Sequence, residues 1–83
     1  MNLLSELKDA VKNDRRIVIQ YHGSGSDLTV TGVLDQFYLA EGDLVLSGPD
    51  FSCTLPYGKY QQTEEGYTFQ ICKDLEAVFF FVS

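Results

Sequence analysis

Apolar residues recur along this chain with two different periods. Near the N-terminus, Leu3, Leu4, Leu7, Ala10 and Val11 fall on one stripe at helical spacing, which predicts a helix over residues 3–13. Asn2 suits the N-cap and Glu6 the first turn, while Asn13 can take the left-handed conformation that ends a helix. A helix this short is marginal alone in water, so its stripe must pack on the rest of the chain.

From Ile17 onward the period changes to two. Ile17, Ile19 and Tyr21 alternate with Val18, Gln20 and His22, which predicts a first strand over 17–22. Gly23-Ser24-Gly25-Ser26 is a turn. A long second strand is expected over 28–39, with Leu28, Val30, Gly32 and Leu34 on one face and Gly32 as the point of a sharp bend. The turn Glu41-Gly42-Asp43 leads to a third strand over 44–47, and Gly48-Pro49-Asp50 ends it. Phe51, Cys53 and Leu55 alternate with Ser52 and Thr54 until Pro56, which cannot donate to a ladder. Residues 56–66 form a polar connection that carries Tyr57 and Tyr60. Tyr67 to Cys72 alternates again, Lys73-Asp74 turns, and Leu75 to Val82 is the last strand. A helix followed by five or six short strands with tight turns predicts one mainly β domain over 1–83, a small, strongly bent antiparallel barrel with an N-terminal α-helix.

The last strand departs from the pattern. Ala77, Phe79 and Phe81 share one face; Val78, Phe80 and Val82 share the other, so both faces are apolar. A chain of 83 residues has little material to cover two such faces. Either the strand is buried in the barrel, or Val78, Phe80 and Val82 form a homo-oligomer interface.

Charge narrows the range of partners. The formal net charge is -6, and it is unevenly spread. Residues 1–16 hold Lys8, Lys12, Arg15 and Arg16, whereas no Lys or Arg occurs between Ile17 and Gly58. Nucleic-acid affinity depends on cations that displace counterions from phosphates, so this composition disfavours nucleic acid. An acidic surface fits a basic protein partner, and it also fits plain solubility. No run approaches the length of a membrane span and the N-terminus lacks a signal-peptide pattern, so a cytoplasmic protein is expected. Cys53 and Cys72 match no zinc spacing; they read as reduced thiols, or as one optional disulfide between neighbouring strands.

Candidate chemistry is sparse. His22 is the single histidine, and it stands at a strand end without an evident partner for acid–base work. Ser24 and Ser26 lie in a Gly-Ser turn rather than a strand-turn-helix nucleophile elbow. Glu41, Asp43 and Asp50 lack calcium-loop spacing and read as solvated turn carboxylates. No cofactor or metal site is expected. Tyrosines in or beside loops (Tyr38, Tyr57, Tyr60 and Tyr67) suit protein contacts, or they fill the ends of the barrel.

The helix, the first strand, the long strand with Gly32, Leu34 and Phe37, and the Leu44-Val45-Leu46 strand together resemble the first signature of the Sm-like family, which includes the Sm and LSm proteins and bacterial Hfq. Leu75-Glu76-Ala77-Val78 is similar to the strands that close such a barrel, and residues 10–23 resemble the opening of WYL domains. The resemblance implies a bent barrel and, for the family, RNA binding. The family's aspartate position is here Tyr38, its asparagine turn is here Glu41, Gly42 and Asp43, and its last-loop basic pair is here Lys73-Asp74. The WYL triplet is also missing. The fold therefore carries over, whereas the RNA-contacting residues do not.

The expected function is a non-enzymatic protein-interaction module. Asp35, Tyr38, Glu41, Asp43, Asp50, Tyr57 and Tyr60 are its candidate contact residues. By analogy with small acidic phage proteins that bind host machinery, it would act as an inhibitor covering a basic site. The alternative is an Sm-like RNA-binding ring using Lys8, Lys12, Arg15 and Arg16.

Overall fold

Helix α1 (Leu3–Lys12) starts where the Asn2 side chain accepts the Ser5 amide at 2.9 Å. It ends differently from expectation. Asn13 stays at φ -108 and returns its side-chain amide to the Asp9 carbonyl at 3.0 Å, while Asp14 takes the left-handed conformation at φ 50. Leu3, Leu7 and Ala10 are fully buried. These features come from a computed structural model, which describes residues 2–23 and 25–82; the predicted turn residue Ser24 lies outside the described residues.

Eight strands follow: β1 (Arg16–Gly23), β2 (Ser26–Val33), β3 (Gln36–Ala40), β4 (Asp43–Gly48), β5 (Phe51–Pro56), β6 (Tyr60–Gln62), β7 (Tyr67–Cys72) and β8 (Leu75–Val82). A short 3-10 turn, Tyr57–Lys59, separates β5 from β6. All ladders are antiparallel. They build two sheets, one of five strands in the order β2-β1-β8-β7-β6 and one of three in the order β3-β4-β5. Among the described residues no ladder joins the sheets; the chain passes between them at Leu34-Asp35 and at the 57–59 turn.

The single strand expected over 28–39 is therefore two strands in two sheets. Gly32 is not the break, because the β1–β2 ladder runs through it, pairing Ile17 with Gly32 and Arg16 with Val33. The break falls at Leu34-Asp35. There the Leu34 amide donates to the Arg15 carbonyl at 3.4 Å and the Asp35 amide to the Ser47 carbonyl at 2.9 Å, so one bond goes to each side of the corner. What Gly32 provides is space: a Cβ there would stand 2.7 Å from the Phe51 ring. Gly48 serves the same ring, and a Cβ on it would come within 2.1 Å of the Val33 carbonyl oxygen. The close approach of the two sheets at this corner thus rests on two glycines around Phe51.

The core lies between the sheets and under the helix. From the five-stranded sheet come Ile17, Ile19, Tyr67, Phe69, Ala77 and Phe79; Leu44, Leu46 and Leu55 come from the three-stranded sheet. Ring contacts knit the first group together, with Tyr67–Phe79 centroids at 6.3 Å and Phe79–Phe81 at 5.0 Å edge to face. The helix sits on this inner face, because the Tyr67 hydroxyl donates to the Glu6 carboxylate and the Arg15 guanidinium lies 4.8 Å from the Phe81 ring centroid. Among the described residues, no helix is long and apolar enough to cross a membrane.

Candidate interaction surface

The three-stranded sheet carries most of the acidic candidates. Strand pairing sets Phe37 beside Leu46 and Leu39 beside Leu44 on the inner side, which turns Tyr38 outward opposite Val45. Ala40 pairs with Asp43 one step along, so Asp43 and Tyr38 are diagonal neighbours on the outer face, within reach of each other's side chains. The β3–β4 hairpin turns on Glu41 and Gly42, at φ 53 and 86. These are the two positive values of the tight turn that matches strand twist. This geometry leaves the Glu41 side chain exposed at the hairpin tip.

The seven predicted contact residues do not form one cluster. Glu41, Asp43 and Tyr57 gather at one end, where the Tyr57 amide donates to the Gly42 carbonyl at 3.0 Å. Asp35 and Asp50 are exposed at the opposite end, beside Ser47 and in the β4–β5 turn. Tyr38 stands between them and is 53% exposed. Tyr60 points the other way, stacking on Phe69 at 5.5 Å and on Tyr57 at 5.1 Å, so it is half-buried against the core. Leu39 was not singled out by the sequence pattern, yet it is 48% exposed beside Tyr38 on this edge strand. Along β4 the acidic sheet is roughly 17 Å long at about 3.3 Å per residue.

The basic residues are scattered. Lys8 and Lys12 are exposed on the helix, and Arg15 pairs with Asp9 at 3.6 Å while covering Phe81. Arg16 belongs to the other side of the five-stranded sheet, paired with Val33 and Val82. A cleft of about 230 Å³ beside the helix is lined by Glu6, Arg15, Glu64 and Glu65, so carboxylates surround its one cation. Among the described residues, this placement makes no continuous positive track.

The titratable groups inside the fold are held protonated. Burial pushes the Cys53 thiol on β5 up to about 11, with the neighbouring Tyr21 on β1 offsetting part of the rise, far from the thiolate that a nucleophile needs at neutral pH. Burial, then the Glu6 carboxylate, pushes the Tyr67 hydroxyl up as well. Cys53 and Cys72 are free thiols on strands that are not neighbours in either sheet. His22 does have a partner: its Nδ1 lies 3.2 Å from the Asp27 carboxylate, and both side chains are open to solvent.

No protein-family model matches this chain, and no curated protein or solved structure matches it either.

Proposed function

We propose that the chain is a non-enzymatic protein-interaction module whose three-stranded sheet covers a basic site on another protein, as a phage-type inhibitor does. The observation that carries this reading is Tyr38, more than half exposed at the centre of edge strand β3 with Asp43 beside it and Glu41 at the hairpin tip. No lysine or arginine between Ile17 and Gly58 neutralises that face. Exposed tyrosine is a common anchor at interfaces, and the surrounding carboxylates would steer a basic partner and set its orientation. Leu39 points to the other side of β3 from Tyr38 and is exposed there because β3 is the sheet's edge.

The scaffold reads as a small bent barrel of the Sm-like or SH3-like kind. In that reading β2–β3 and β5–β6 are two bent strands shared between the sheets, with corners at Leu34-Asp35 and at the 57–59 turn.

Reversing charge at Glu41, Asp43 and Asp50 (E41K/D43K/D50K) tests the proposal in affinity capture from cell lysate, alongside Tyr38→Ala. Proteins held by the unmodified chain should be lost or reduced by at least about tenfold with either variant. A partner retained undiminished by both contradicts recognition through this face.

A further inference from the structure

The five-stranded sheet has a second face, turned away from the core and the helix. Strand pairing defines it. At one end Val33, Arg16 and Val82 stand side by side across β2, β1 and β8, and the next row brings Val18 beside Phe80. Val78 follows one row further along β8. The helix touches the opposite face through Glu6 on Tyr67, and Arg15, just past the helix, covers Phe81 on that same face. The turn between β6 and β7 borders this face, where Glu65 lines a groove with Gln20 and Phe80 and Gly66 abuts Phe80; Val18, Val33, Val78 and Phe80 are half-buried and Val82 is 39% exposed. At the far end the character changes, because Asp27, His22 and Glu76 form one exposed row across β2, β1 and β8.

Across its strands the face therefore has an apolar end with one cation, Arg16, and a polar end with two carboxylates, and the exposed Glu65 of the β6–β7 turn stands at its border beside Phe80. Six residues along a strand separate the two ends by roughly 20 Å. A two-fold rotation about an axis crossing the strands turns each end onto the other. Arg16 of one copy then sits over the partner's row of Asp27, His22 and Glu76, and Phe80 sits over the partner's Val78. Sheets packed face to face with strands aligned adopt such an arrangement, about 10 Å apart. Without the reversal, Arg16 would face Arg16 and carboxylate would face carboxylate.

We propose that this face takes a second copy of the chain, packed antiparallel, with Arg16 against the partner's acidic row and Phe80 and the valines between. Four strands by six residues give about 400 Å² of face, so both copies together bury roughly 800–1,000 Å², at the low end for a specific interface. The dimer is accordingly weak and reversible. It leaves Tyr38 and the acidic sheet open, since these belong to the other sheet.

Sedimentation velocity over a concentration series from ~10 μM to ~1 mM tests this, because a dimer of this area has a dissociation constant on the order of micromolar or weaker. The unmodified chain should dimerise reversibly in that range. Arg16→Glu and Glu76→Arg, both at exposed positions, should each weaken the dimer by about tenfold or more. Combining them (R16E/E76R) should restore it to within about threefold, because each reversed charge again meets its opposite across the two-fold. A chain that stays monomeric throughout overturns the proposal, as does a double variant no better than the singles. A dimer that ignores all three but is lost in Leu28→Lys also overturns it, by placing the contact on the β2 edge instead.

Discussion

An alanine at Gly48 is expected to destabilise the fold by about 3 kcal/mol, although it adds a single methyl group. Gly48 ends β4 in the three-stranded sheet, and its missing side chain is what allows the Val33 carbonyl of the five-stranded sheet to approach. The added carbon would meet that backbone oxygen at 2.1 Å and the Phe51 ring at 2.7 Å. A side chain could rotate away. The Val33 carbonyl cannot, because Val33 is held in the β1–β2 ladder opposite Arg16. The sheets must then part at their closest corner or the hairpin must shift. Urea unfolding followed by circular dichroism measures the effect, and a loss below about 1 kcal/mol would show that this corner is looser than described.

Truncating Phe79 should cost still more, about 3–5 kcal/mol. Its side chain is 1% exposed and packs between the Tyr67 and Phe81 rings on the inner face. At roughly 0.05–0.15 kcal/mol per residue a chain of this length has only about 4–12 kcal/mol in total, so Phe79→Ala is expected to remove a large share of the fold's stability. The neighbouring Phe80→Ala makes the comparison sharp. Phe80 is half-buried on the outer face, and its removal should cost clearly less. Urea unfolding at low protein concentration separates the two outcomes. Equal losses at Phe79 and Phe80 would mean that the faces of β8 are wrongly assigned.

Most strands could be read from alternation because each has one buried and one open side. Ile17 and Ile19, Leu44 and Leu46, and Tyr67 and Phe69 are all at or below 2% exposure, at the spacing of two that the pattern requires. The failure at Leu34-Asp35 is instructive. Inward residues occupy even positions through Leu34 and odd positions from Phe37, so the phase of the pattern slips where the chain changes sheet. A single-strand reading had to ignore that slip. Strand β6 was invisible for another reason: only Tyr60 of Tyr60–Gln62 faces the core, and one apolar residue makes no period. Gly48 looked like ordinary turn chemistry, because the carbonyl it accommodates belongs to Val33, fifteen positions earlier in the chain. The acidic surface was legible as a cation-free stretch. Its division into two ends with Tyr38 between them depends on strand register, which composition does not carry.

The helix shows how propensity and geometry share control. Its stripe and N-cap follow directly from residue type. At the C-terminus two residues, Asn13 and Asp14, were both able to take the left-handed conformation. Asn13 instead spends its side chain on Asp9, and the positive φ falls to Asp14.

Recognition of a basic surface by the three-stranded sheet is tested most directly by amide chemical-shift mapping with a short oligolysine peptide at low salt. Many carboxylates are available elsewhere, among them Glu64, Glu65, Asp74 and Glu76, all exposed. The account predicts that shift changes gather on Tyr38 to Asp43 and on Val45, and fade as salt screens the charges. Changes spread evenly over all the exposed carboxylates, or centred on Glu64 and Glu65, would contradict it.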